Sequence, residues 1–245
     1  MKNRKKRTRE ILTDAVVEIR HIKKSFNKKT ILEDINATIY PGDRIALVGA
    51  NGSGKSLLSE IIGQLIEPTS GKIIYRFDNP KRHIGMLLNG LDWPPGVRVC
   101  DAINLYRWIY KDLDETWINL LIAHFKLQTH YKKYITQLTP EYKQLFNMVI
   151  SIIHNPSLII FDRSLTDVDL QWQYVVRKII SEVLFNDNTR SAIFITHLVN
   201  IIQDLCNRIW LIHEGKILID DTVENIVVKY GSVETFLDNY FKGNL

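Results

Sequence analysis

Eight consecutive residues, Gly49-Ala50-Asn51-Gly52-Ser53-Gly54-Lys55-Ser56, are the part of this sequence best equipped for chemistry. Gly49, Gly54, Lys55 and Ser56 satisfy the spacing G-x-x-x-x-G-K-[ST]. Glycines at these places let backbone N–H groups turn toward phosphate oxygens without a side-chain clash. A helix that starts within the loop adds partial positive charge at its N-terminus. Lys55 is then expected to reach the β- and γ-phosphates of a nucleotide, and the Ser56 hydroxyl to ligate Mg²⁺. Asn51, Gly52 and Ser53 complete the cradle. Three further polar residues stand at the ends of apolar runs: Asp162 closes Leu158–Phe161, and Thr196-His197 follow Ser191–Ile195.

Those residues need a scaffold, and the hydrophobic pattern supplies one. Arg44–Val48 reads as a short buried strand that feeds the glycine loop, and Ser56–Ile66 as the helix leaving it. Leu158–Phe161 and Ser191–Ile195 are short apolar runs of the kind found in buried parallel strands, with a helix over Leu170–Phe185 between them. Ala15–Ile22, Ile31–Ile39 and Lys72–Phe77 read as strands of a half-exposed sheet. Between about 89 and 155 the pattern turns helical, over Val99–Tyr110, Thr116–Leu127 and Glu141–His154. Arg208–His213 and Lys216–Ile219 form an expected hairpin, and Thr222–Tyr230 and Val233–Phe241 two closing helices. The predicted fold class is α/β: a P-loop NTPase core with a parallel sheet, an antiparallel β subdomain and an inserted α-helical subdomain.

The ordered set of phosphate loop, helical insert, Asp162 after an apolar strand and His197 after another resembles the nucleotide-binding subunit of an ATP-binding cassette (ABC) transporter. The resemblance runs from about Ala15 to Tyr230. It implies ATP and Mg²⁺ as cofactors. Phe26 matches the aromatic that stacks on adenine, Asp162 the Walker B aspartate that holds Mg²⁺ through water, and His197 the histidine that contacts the γ-phosphate. Asn89 falls where the family has a glutamine that senses Mg²⁺ and the membrane partner. The stretch from Thr166 to Asp169 matches the loop that crosses the dimer interface, with Asp169 its acid. Leu138-Thr139-Pro140-Glu141 aligns with the signature that closes on the nucleotide of the opposite subunit. The implied partners are an integral membrane permease and a second nucleotide-binding subunit, identical or different. The implied location is cytoplasmic, on the inner face of the membrane.

Three departures from the family pattern gather around the γ-phosphate. Arg163 stands where the family has the glutamate that polarises the attacking water, and a permanent cation cannot accept a proton. It could stabilise bound triphosphate or pair with a nearby acid. In the signature, Thr139 keeps a hydroxyl, Pro140 removes a backbone donor, and Glu141 places an anion where triphosphate would approach. Thr-Pro-Glu is at the same time a well-formed helix start. Asn89 keeps the amide of glutamine but is one carbon shorter, about 1.5 Å. The expectation is ATP binding that outlasts hydrolysis by this chain.

Charge and composition bound the rest. The 245 residues carry a net charge of +5, and the segment 1–10 alone holds six Lys/Arg against one acid, so the remainder is neutral. Residues 1–12 read as a basic, disordered tail and 13–245 as one nucleotide-binding domain with its helical insertion at about 89–155. The tail's charge suits anionic lipid or RNA. The body shows no basic stripe with interleaved aromatics, which argues against nucleic acid. No apolar run reaches the roughly 18–20 residues that span a bilayer. Cys100 and Cys206 lack metal or redox spacing and read as ordinary thiols.

Overall fold

The computed structural model describes residues 15–27, 29–87, 92–162, 170–186 and 189–243. The basic tail, Asn89, Arg163 and the segment 166–169 lie outside the described residues.

Two sheets build the molecule. β1 (Val17–Phe26), β2 (Lys29–Ile39) and β4 (Ser70–Tyr75) form an antiparallel sheet in the order β2-β1-β4. The larger sheet joins β3 (Arg44–Val48), β5 (Ile84–Leu87), β6 (Leu158–Asp162), β7 (Ser191–Ile195), β8 (Arg208–His213) and β9 (Lys216–Thr222). Its order is β5-β6-β7-β3-β8-β9, parallel except for β9, which returns antiparallel on β8.

Both faces of the parallel strands are covered, and the side-chain period of two divides each strand between two cores. Ile45 and Leu47, Leu158 and Ile160, Ile193 and Ile195, and Trp210 and Ile212 point to one face. There they meet Ile19, Ile22, Leu32 and Ile35 of the antiparallel sheet and Leu58, Ile61 and Ile62 of α1 (Lys55–Ile62). The alternate residues, such as Ala46, Phe161, Phe194 and Leu211, point to the other face and pack against helices. Phe161 and Phe194 stack there at 4.8 Å between ring centres.

The helices of that second face are α3 (Val99–Ile109), α4 (Glu115–His124), α5 (Pro140–Ile152), α6 (Leu170–Ile179), α7 (Val199–Leu205), α8 (Val223–Tyr230) and α9 (Val233–Phe241). A single turn, α2 (Pro80–His83), precedes β5. α5 begins among α4 and the turns after it, with Tyr142 stacked on His130 at 4.1 Å, and ends against β5. A Cβ on Gly85 would strike the Ser151 carbonyl, so the helix and the strand touch backbone to backbone. α5 therefore ties the helical region to the sheet.

Several elements differ from the sequence expectation. α1 stops at Ile62 rather than Ile66 because Gly63 lies under the Met86 side chain and Gln64 turns to φ 59°. The helix expected over Leu170–Phe185 changes to π geometry over Ile180–Leu184. β5 and α7 are additional elements that the pattern did not announce. No helix of the described residues is long and apolar enough to cross a membrane.

Candidate functional site

β3 carries the glycine loop out of the sheet, and the loop's shape is fixed by what touches it. Gly49 has φ 146°, and a Cβ there would collide with the Ile212 carbonyl oxygen of β8. Gly54 caps α1 in the left-handed region at φ 102°, where a Cβ would strike Leu32 of β2. The loop is thus clamped between the end of β8 on one side and the antiparallel sheet on the other. Only glycine meets both the backbone angle and the space at these two positions.

Lys55 folds back over the loop. Its side chain is buried, and its ammonium donates to the carbonyls of Gly49 at 2.8 Å and Ala50 at 2.6 Å. The Ser53 N–H closes the turn on the Ala50 carbonyl at 3.2 Å. Ser56 is half-buried in the first turn of α1. The first-turn N–H groups of a helix have no acceptor within the helix, so this end presents donors and a cation together.

Register places the other polar residues beside the loop. Ile195 at the end of β7 pairs with Asp162 on one side and with Leu47 on the other. The ends of β6, β7 and β3 are therefore level, and at about 4.8 Å per strand Asp162 stands about 10 Å from the start of the loop. Thr196 is buried and accepts the Leu198 N–H, while His197 next to it is exposed at the same edge. The edge collects the carboxyl-terminal ends of parallel strands, where open α/β sheets bind ligands.

Asp162 is 7% exposed, and its Oδ1 is buried without a hydrogen-bond partner among the described residues. An ionised carboxylate in that state is costly unless a cation or a donor reaches it. Glu60 of α1 adds to this field: burial raises its carboxyl above the ordinary value, and the charge of Asp162 raises it further. The orphaned oxygen, the second acid nearby and the Ser56 hydroxyl on the same edge fit a hard divalent cation shared with phosphate.

The ABC transporter family matches residues 32–166, more than half of the chain. The chain belongs to the ABC transporter family. Among curated ABC proteins it is similar to the lantibiotic transport ATP-binding protein SrtF of Streptococcus pyogenes, 29% identical over 217 residues that cover 86% of this chain and 94% of that one. It is equally similar to the nickel import system ATP-binding protein NikE of Staphylococcus aureus, 29% identical over 220 residues that cover 86% and 92%. The solved ATP-binding subunit of an ABC transporter superimposes with a TM-score of 0.79 at 20% identity, covering 91% of this chain and 98% of that one. A bacterial Atm1-family ABC exporter with ATP bound gives 0.77 at 15% identity, covering 94% and 43%. The last two establish the ABC ATP-binding fold and nothing finer.

The remaining residues expected in an ABC site divide into those near the loop and those apart from it. Phe26 ends β1 half-exposed, with the Lys24 ammonium 4.9 Å from its ring centre. It belongs to the hairpin whose Leu32 lies on Gly54. Leu138 is buried, whereas Thr139 and Pro140 are exposed at the start of α5. Thr139 is the N-cap, its hydroxyl accepting the Tyr142 N–H at 3.5 Å, Pro140 occupies the first turn, and Glu141 is its acid. Asn89, Arg163 and Asp169 lie outside the described residues.

Three residues beside the loop gave no sign in the sequence. Glu60 is one of the polar positions of an amphipathic helix. His213 and Tyr240 meet at 3.0 Å beside Ala50, although they belong to β8 and α9. Only contacts across the folded chain bring them there.

Proposed function

We propose that this ATP-binding subunit holds Mg-ATP on the loop Gly49–Ser56 and uses it to drive or gate a separate membrane permease. The observation that carries the reading is a buried lysine folded onto a glycine loop together with an orphaned oxygen of Asp162, level with the strand that feeds that loop. In this reading Asn51, Gly52, Ser53 and Gly54 offer backbone N–H groups to phosphate. Lys55 exchanges loop carbonyls for phosphate oxygens. Ser56 and Asp162 hold Mg²⁺, with Asn89 as its further polar contact. Bound magnesium neutralises charge on the β- and γ-phosphates. Phe26 offers its free ring face to the base, and His197 contacts the γ-phosphate.

Hydrolysis by this chain is weak in the proposal, because Arg163 replaces the water-polarising acid and a missing base costs roughly 10²–10⁴ in rate. Leu138, Thr139, Pro140 and Glu141 face the nucleotide of a second nucleotide-binding subunit, and Asp169 belongs to the same interface. The permease docks near Asn89–Pro95, and the protein works on the cytoplasmic face of the membrane. The short helical region favours export over import, and the relatives are named for lantibiotic transport and for nickel import. The domain boundaries stay at 13–245 with the insertion at about 89–155, and the tail 1–12 is proposed to meet anionic lipid.

A second reading rests on Arg163, Pro140 and Glu141 together. Here the subunit is non-catalytic, and ATP acts as a structural switch that stabilises one state by mass action. Titration of the purified chain with Mg-ATP tests the common part: measurable affinity that Lys55→Ala removes is expected, and no affinity in the wild type would overturn it. Turnover in the assembled complex then separates the readings. Turnover coupled to the permease supports transport, whereas tight retention of unhydrolysed ATP supports the switch.

A further inference from the structure

Lys55 is not the only side chain that holds the Gly49–Ala50 segment. The Tyr240 hydroxyl lies 3.4 Å from the Ala50 nitrogen and 3.0 Å from His213 Nδ1. Tyr240 is 8% exposed, near the end of α9, and its ring meets the His213 ring edge-to-face at 5.6 Å. With the His213 proton on Nε2, Nδ1 accepts the Tyr240 O–H. The phenol oxygen then keeps its lone pairs for the Ala50 N–H. Ile212, the residue before His213, already packs against Gly49. Two successive residues of β8 and one of α9 therefore converge on the first two residues of the loop.

This matters because the Lys55 ties are temporary in the proposed binding step. The strongest contacts on Gly49 and Ala50 are the two Lys55 hydrogen bonds to their carbonyls. A lysine that turns to phosphate weakens both at the moment the loop must keep its shape. The Ala50 N–H to Tyr240 involves neither Lys55 nor an N–H offered to phosphate, and can persist.

We propose that Tyr240 is a positioning residue for nucleotide binding, holding the Ala50 N–H while Lys55 exchanges partners, and that His213 orients its hydroxyl. The inference rests on the reading of Gly49–Ser56 as a nucleotide loop. The last helix thereby reaches the loop through a single hydroxyl, without touching nucleotide.

Tyr240→Phe keeps the ring and removes the hydroxyl. The dissociation constant for Mg-ATP is expected to rise about three- to tenfold, the range for losing one modest hydrogen bond. Phe236→Leu loosens the same helix away from the loop, and is expected to lower the melting temperature while leaving affinity within twofold. In an Ala50→Pro background, which lacks the N–H, Tyr240→Phe should change affinity less than twofold. Should Ala50→Pro not fold, the amide resonance of Ala50 serves instead and must move in Tyr240→Phe. Wild-type affinity in Tyr240→Phe, or an equal loss in Phe236→Leu, would overturn the assignment while leaving the loop's function intact. Absence of Mg-ATP binding by the wild type would instead overturn the functional reading itself.

Discussion

Glu60 and Asp162 form an acidic pair whose cost is visible before any ligand arrives. Burial, then the Asp162 charge, raises the Glu60 carboxyl above its reference of 4.5. A raised acid binds its proton more tightly in the folded chain than in the unfolded one. Its contribution to stability is complete below the unfolded value and is lost as pH rises through the folded value. At pH 7 an ionised Glu60 therefore opposes folding. Glu60→Gln should melt about one to two degrees higher than wild type at pH 7 without magnesium or nucleotide, and no higher near pH 4. Thermal melts at the two pH values check this, and an unchanged or lower melting temperature at pH 7 contradicts it. Gly49 gives a second test at the same scale. An added Cβ meets the Ile212 carbonyl, a backbone atom that cannot swing aside, at a positive φ. Gly49→Ala should cost about 2–4 kcal/mol in urea unfolding, from backbone strain plus overpacking. A cost below about 0.5 kcal/mol would mean that β8 does not clamp the loop.

At the scale of elements, α5 opens with a complete helix start at the residues aligned with the signature. Thr139 caps the helix, Pro140 presets its first turn, and Glu141 faces the positive end of its dipole. Thr139→Ala should lower stability by about 1 kcal/mol, or about two to four degrees in a melt, and Thr139→Ser should restore most of it. Equal melting temperatures for all three proteins would show that the cap is not used. This helix start was legible because capping is a local property of four adjacent residues. The parallel strands were legible for a similar reason, since β3, β6 and β7 are short apolar runs. β5 was not: its four residues, Ile-Gly-Met-Leu, contain a glycine whose use is to let α5 approach. α7 is seven residues long with no side-chain cap, so neither period nor punctuation marks it. The π turns after α6 keep helical spacing in sequence and differ only in how the backbone closes. Within the candidate site the same division holds. The glycine loop and the polar residues at strand ends announced themselves by pattern. Tyr240 did not, because it reaches Ala50 across 190 positions and nothing local distinguishes it from the other aromatics of an amphipathic helix.

At the scale of the whole molecule, two of the three sequence departures, Arg163 and the altered signature, would act on different nucleotides. In the resemblance to ABC dimers, each ATP lies between the phosphate loop of one subunit and the signature of the other. Arg163 then affects the site on this chain, and Thr139-Pro140-Glu141 affects the site on the partner. Two copies of this chain would place both defects at both sites, and correcting one would leave the other. Beside a subunit with a complete signature, the site on this chain has a single defect, the missing base. Arg163→Glu should then raise ATP turnover of the assembled complex by about 10²-fold or more, since a positioned base contributes roughly 10²–10⁴. The same substitution in a complex containing only this cassette should change turnover less than tenfold, because Pro140 and Glu141 still oppose closure on the γ-phosphate. Steady-state turnover of the two assemblies, each with and without the substitution, distinguishes the cases. A large gain in the single-cassette complex would show that the altered signature closes on triphosphate after all, and that Arg163 alone limits the chemistry.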